Sequence, residues 1–141
     1  MKSFVISAVA LAVVALLLGF VVHALLLGAD YAQLGNLYRP EKDQQNYFPF
    51  MLAAHVFIGF GMTWIYRQGN VTGKPWMTQG FRFGLAWVVA VSAPMYLIYY
   101  AVQPMPSALV TKQILFDGVA TVMLGLACAW LNRGANKSGF S

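Results

Sequence analysis

Hydrophobic residues in this chain do not alternate with polar ones. They run on over long stretches that short polar segments interrupt. Four runs reach the roughly 20 residues that a helix needs to cross a bilayer: about 3–28, 47–67, 78–102 and 107–132. Pro49 falls in the first turn of the second run, where a missing N–H costs little, and Pro94 predicts a kink in the third. The short 103–107 connection makes the last two runs a hairpin. The pattern predicts an all-α integral membrane protein, an antiparallel four-helix bundle forming one domain over 1–141.

Between the runs lie an outer loop at 29–46 and a turn-rich connector at 68–75. In the loop, Tyr31, Leu34 and Tyr38 follow helical spacing, so 30–38 forms either a short amphipathic surface helix or a plain solvated loop. The tail 133–141 is expected to be disordered. Met1-Lys2 before an apolar run looks like a signal peptide. The run is about 25 residues, though, longer than a signal core of about 7–15, which predicts a retained helix. No internal repeat supports an inverted-repeat transporter plan.

Composition agrees: 60% of the residues are hydrophobic and 9% charged, against about a quarter charged in soluble domains. The net charge of +5 is scattered over helix ends and loops. No basic stripe or recognition signature points to nucleic acid. Lys2, Arg67, Lys74, Arg82, Arg133 and Lys137 fall on one side of the runs. Arg39, Lys42 and Lys112 fall on the other, with Asp30, Glu41 and Asp43 expected to solvate the loop. That bias places both termini in the cytoplasm of a bacterial inner membrane. Tyr31, Tyr38, Tyr47, Tyr99 and Tyr100 would mark the outer interface, and Trp64, Tyr66, Trp76 and Trp130 the inner one. The single cysteine, Cys128, permits no intrachain disulfide or CxxC motif and reads as a small buried residue.

The candidate chemistry centres on 112–130, an apolar span that carries Asp117. A carboxylate at that depth costs several kcal/mol unless paired or wetted, so it must face protein. Helical spacing puts Gln113, Asp117, Thr121, Gly125 and Cys128 on one small, polar side. Matching stripes run through the other spans: Ala8, Ala12, Ala15, Gly19 and His23; then His55, Gly59 and Thr63; then Gly80, Gly84, Ser92 and Tyr96. Gly19, Gly59, Gly80, Gly84 and Gly125 are the expected helix-packing positions. At about 1.5 Å per residue, the polar ends of these stripes converge in the outer half. The predicted cluster is His23, His55, Ser92, Tyr96, Gln113 and Asp117, with Lys112 nearby or snorkelling outward.

Three readings fit this cluster. In the first, Asp117 pairs with His23, His55 or Lys112 and locks the bundle. His23 and His55 could instead be the axial ligands of a haem b, although the chain otherwise predicts no cofactor and no metal site. Or Asp117 and the histidines form a proton relay, or the polar end of a quinone or lipid pocket. There is no nucleophile elbow, zinc-protease motif, phosphate loop or pair of intramembrane carboxylates. The methionines, Met95, Met105 and Met123 among them, read as lipid or core packing rather than a copper site. The expected role is non-enzymatic: an accessory or structural subunit packed against other membrane proteins or its own copies. The alternative is a membrane protein that handles a small molecule or protons through the outer pocket.

Several motifs carry a family resemblance. They are Gly19-Phe-Val-Val-His23 leading to Leu25-Leu-Leu-Gly28-Ala-Asp-Tyr31, the Gly-Lys74-Pro-Trp76 turn, Ala93-Pro94, and Lys112-Gln-Ile-Leu-Phe-Asp117-Gly118 leading to Met123-Leu-Gly125. In their order the chain resembles a family of small four-helix bacterial inner-membrane proteins known as a domain of unknown function. It departs where that family tends to an aromatic pair after the first span and this chain has His23-Ala24. The resemblance implies a fold and carries no activity.

Overall fold

The computed structural model of the chain describes residues 2–35 and 37–134. These residues are helical almost throughout, with no strand among them. Helix α1 (Lys2–Phe20) runs into a π-helical stretch, Val21–Leu26, and is followed by the short α2 (Gly28–Ala32). Then come α3 (Glu41–Gly69), α4 (Trp76–Trp87), a second π stretch (Val88–Ser92), α5 (Ala93–Val102) and α6 (Ser107–Leu131). Four helical segments are long and apolar enough to cross a membrane: Ser3–Leu26, Lys42–Gly69, Trp76–Val102 and Ser107–Leu131, of 24, 28, 27 and 25 residues.

The second helix starts earlier than hydropathy indicates. Pro40, in an extended conformation, caps it, and the polar residues from Glu41 onward already lie in α3. Pro49 is therefore inside the helix rather than in its first turn. It leaves the Gln45 carbonyl without its helical donor, in a segment exposed on every side but one and free to be hydrated. Of the outer loop, neither the surface helix over 30–38 nor a plain loop forms; α2 is five residues long and turns follow it. Of the expected disordered tail, Arg133 and Gly134 lie in a turn, and residues 135–141 are outside the described residues.

Pro94 changes its helix in a different way from a simple kink. Having no N–H to give to the carbonyl of Ala90, it sits just after the π stretch, in which the Ala93 N–H bonds back to the Val88 oxygen. The first π stretch ends likewise, the Leu27 N–H reaching the Val22 oxygen at 3.0 Å. Each stretch turns one residue of its helix out of α-helical register. The first contains His23 and the second ends on Ser92.

Small residues decide which helices touch. α1 packs on α3 and α6, and α4 packs on α6, while α3 and α6 meet only lightly. A Cβ added to Gly125 would lie 2.6 Å from the Cα of Gly84, and one added to Gly84 would lie 2.7 Å from the Cα of Val122. The backbones of α4 and α6 are thus in direct contact, as close helix pairs without a hydrophobic drive require. Gly59 does the same for α3 against Ala8 and Ala12 of α1.

The ends of the molecule differ. At the end that holds residues 2–8 and 131–134, here the terminal end, all four long helices converge on Leu11, Met62, Tyr66, Leu124 and Cys128, with Phe83 packed against them. Tyr66, read from sequence as an interface residue, is 4% exposed and edge-on to Phe83 at 5.3 Å. A polar lock closes this end. Arg67 Nε donates to Asn132 Oδ1 at 2.6 Å and its Nη2 to Ser3 Oγ at 3.0 Å. Asn132 Nδ2 donates to the Cys128 carbonyl at 2.8 Å, and Ser7 Oγ to the Leu131 carbonyl at 3.3 Å. Asn132 is 1% exposed, so Asn132→Ala removes the buried acceptor of the guanidinium and leaves it the Ser3 hydroxyl. It is expected to cost about 1.5–3 kcal/mol, the range for a hydrogen bond to a charged group. Unfolding midpoints in one detergent check this, and an unchanged midpoint would remove the lock.

Candidate functional site

At the opposite, loop end, a polar site forms where the two π stretches flank α6. His23 Nδ1 and the Tyr31 hydroxyl are 2.8 Å apart, and Gln113 Nε2 donates to the same hydroxyl at 3.2 Å. A hydroxyl has one proton to give. It therefore accepts from Gln113 and donates to His23 Nδ1, which puts the imidazole proton on Nε2 and polarises the chain in one direction. Burial, above the smaller effects of Tyr38 and the acids Asp117 and Asp30, holds the Tyr31 phenol above its ordinary range, against the Gln113 hydrogen bond. Tyr31 is a neutral donor across the physiological range.

Asp117 lies one turn beyond Gln113 on α6, within electrostatic reach of His23 and in contact with the Ser92 hydroxyl. Ser92 Oγ also lies 3.1 Å from Thr121 Oγ1. Tyr96 is in the field of Asp117, Tyr31 and Tyr38. His55 is in the field of His23, its Nδ1 donating to the Met51 carbonyl of its own helix at 2.7 Å. The other ring nitrogen of His55 would sit 3.3 Å from a Cβ on Gly19. Gly19 thus makes room for an imidazole instead of a helix backbone, and that nitrogen is packed against α1. Among the described residues no three His, Cys, Asp or Glu side chains group as metal ligands.

Lys112 lies outside this network. Its Nζ pairs with both carboxylate oxygens of Asp30, at 2.8 and 3.0 Å. The pair tethers α6 to the segment after α1. With side chains 47% and 27% exposed, it stabilises by about 0–1 kcal/mol. Asp43 pairs with Arg39 at 3.0 Å. Asp30 and Asp43 therefore do more than solvate the loop, as sequence alone had them doing.

Two buried side-chain oxygens among the described residues have no hydrogen-bond partner, Thr63 Oγ1 and Gln113 Oε1. Gln113 is 3% exposed, and leaving such an acceptor unmet costs about 1–3 kcal/mol. Turning the amide over exchanges the roles and leaves an N–H unmet in its place. The site opens sideways: α3 leans on α1 and α5 on α6, with at most marginal contact between α3 and α5. His55, Ser92, Tyr96 and Asp117 are all partly exposed. Tyr31 and the π stretches are the parts that sequence reading missed. Tyr31 carries a trace, standing eight positions after His23 in a loop that must fold back over the helix ends.

Comparison of the chain with known protein families, with curated proteins and with solved structures finds no match. The resemblance to the four-helix inner-membrane family rests on its short motifs alone.

Proposed function

We propose that the chain is a multi-pass protein of a bacterial inner membrane, an antiparallel four-helix bundle with both termini cytoplasmic and the polar site in the outer half. It acts by binding and not by catalysis. The gap between α3 and α5 admits the hydrogen-bonding head of a small amphipathic molecule, whose apolar body stays among the lipid chains. Gln113 Oε1 carries this reading: a buried acceptor beside the polar site, unmet by the protein, is the group a donor on the ligand would meet. Asp117 and His23, neighbours of unlike charge preference, are placed to share a proton with that head.

The accessory-subunit reading has an observation of its own. The most apolar 18-residue window of the third span, Trp76–Val102, contains no buried residue, which suits a face covered by another membrane protein. Purification in mild detergent separates the two. A lone chain carrying one small molecule per protein, identified by mass spectrometry after solvent extraction, supports the binding site. A retained protein partner and no enriched small molecule would replace it with the subunit reading.

A further inference from the structure

Charge is divided unevenly along the molecule. All four acidic side chains, Asp30, Glu41, Asp43 and Asp117, belong to the loop-end half, while Arg67, Lys74, Arg82 and Arg133 stand at the terminal end, with no acidic side chain beside them among the described residues. Two of these cations have other work: Arg67 holds the Asn132 lock, and Arg133 lies over the Trp130 ring at 5.0 Å. The side chains of Lys74 and Arg82 make neither an ion pair nor a hydrogen bond among the described residues.

Both line one recess of about 380 Å³ between the end of α3 and the start of α4, with Ile65, Val71, Gln79 and Phe83. Its volume falls in the range of small-ligand sites. The recess is held in shape. Gln79 Oε1 accepts from the Val71 N–H at 2.8 Å, and its Nε2 donates to the carbonyls of Val71 and Lys74 at 3.2 and 3.1 Å. One side chain thereby pins the connector, which turns at Gly73 with a φ of +84°, and fixes where Lys74 starts. Beyond the two cations and the amide of Gln79, the lining is mostly apolar, with Ile65, Val71 and Phe83. Ile65 and Leu85, 44% and 46% exposed, continue that apolar surface along α3 and α4 toward the centre of the spans.

We infer that this recess binds the phosphodiester head of an anionic phospholipid, Lys74 and Arg82 taking the phosphate and the apolar track taking an acyl chain. Basic pockets between spans at the cytoplasmic face hold such heads. A free phosphate would use the cations and leave the track idle. The inference rests on the membrane reading of the four helices and is independent of the outer-half cleft. Retention of the chain in carbonate-washed membranes tests that premise separately.

The test uses the full chain in detergent, with the unfolding midpoint followed while phosphatidylglycerol, phosphatidylcholine or glycerol 3-phosphate is added. Phosphatidylglycerol is expected to raise the midpoint saturably in the native chain and in the loop-end control Lys42→Gln. In Lys74→Gln/Arg82→Gln the half-saturating concentration is expected to rise about tenfold or more, and the other two additives should give no shift. An equal response to phosphatidylcholine, or an unchanged response in the double variant, would overturn the site. An equal shift with glycerol 3-phosphate would assign it to free phosphate instead. If the double variant does not fold, photo-crosslinking phosphatidylglycerol to the native chain decides, with label expected on 65–85; label spread evenly over all four spans would end the proposal.

Discussion

Gly59→Ala is expected to destabilise the folded chain by about 1–3 kcal/mol, while Gly61→Ala, two residues along the same helix, is expected to be neutral or stabilising by up to about 1 kcal/mol. Both changes add one methyl group to the interior of α3. At Gly59 the new Cβ would meet the Ala8 carbonyl, with the Ala12 nitrogen at 2.7 Å and the Ala12 Cβ at 2.8 Å. Two of those atoms are backbone and none belongs to a flexible side chain. Relief requires α1 and α3 to separate along their length, which forfeits dispersion contacts across the whole pair. At Gly61 nothing lies within 4 Å, so only the lower helix propensity of glycine remains to be gained back. Unfolding midpoints of both variants in one detergent check the pair. Equal losses would mean that α3 does not pack through Gly59.

The four long apolar helices were legible in sequence because hydropathy over about 20 residues is a strong, local signal. The close-packing glycines were legible for a related reason: Gly59, Gly80, Gly84 and Gly125 stand at helical spacing among large residues. What escaped was set by contacts between distant parts of the chain. The start of α3 at Glu41 lies in a polar segment where hydropathy is silent and the extended Pro40 sets the boundary. The π stretches shift register by one residue, which no periodicity over so short a length reports. Gly19 fits the small-residue spacing but faces the ring of His55. Asn132 could have been found, since it continues the Gln113, Asp117, Thr121, Gly125 and Cys128 face by four more residues; its lock needed Arg67 and Ser3, more than 60 positions away in sequence. Lys112 was expected near the cluster or snorkelling outward, and the ion pair with Asp30 holds it at the surface.

Asp117→Asn is expected to leave the bundle folded and to lower ligand retention by about 5- to 13-fold, the loss that follows when a hydrogen bond to a charged group, worth about 1.5–3 kcal/mol, becomes a neutral one worth about 0.5–1.5 kcal/mol. Asparagine has the same shape, so the packing of Gly118 and Ala120, both buried on α6, is unchanged. It still offers an oxygen to Ser92, but it cannot take up or release a proton beside His23. The part of any pH dependence that comes from the carboxylate should therefore be lost in the variant, which leaves only that of His23. Gln113→Leu separates this from a purely structural role. Leucine removes the unmet oxygen together with the donor to Tyr31, and Tyr31 keeps His23 as its acceptor. If the oxygen awaits a ligand, stability holds or rises while retention falls, because an unsatisfied buried acceptor costs more than its removal. If the oxygen is met within the fold, stability falls and retention does not move. The extracted small molecule per protein, measured beside the unfolding midpoint for both variants, distinguishes these outcomes. A folded Asp117→Asn chain that retains its ligand with unaltered pH dependence would leave the carboxylate no part in binding.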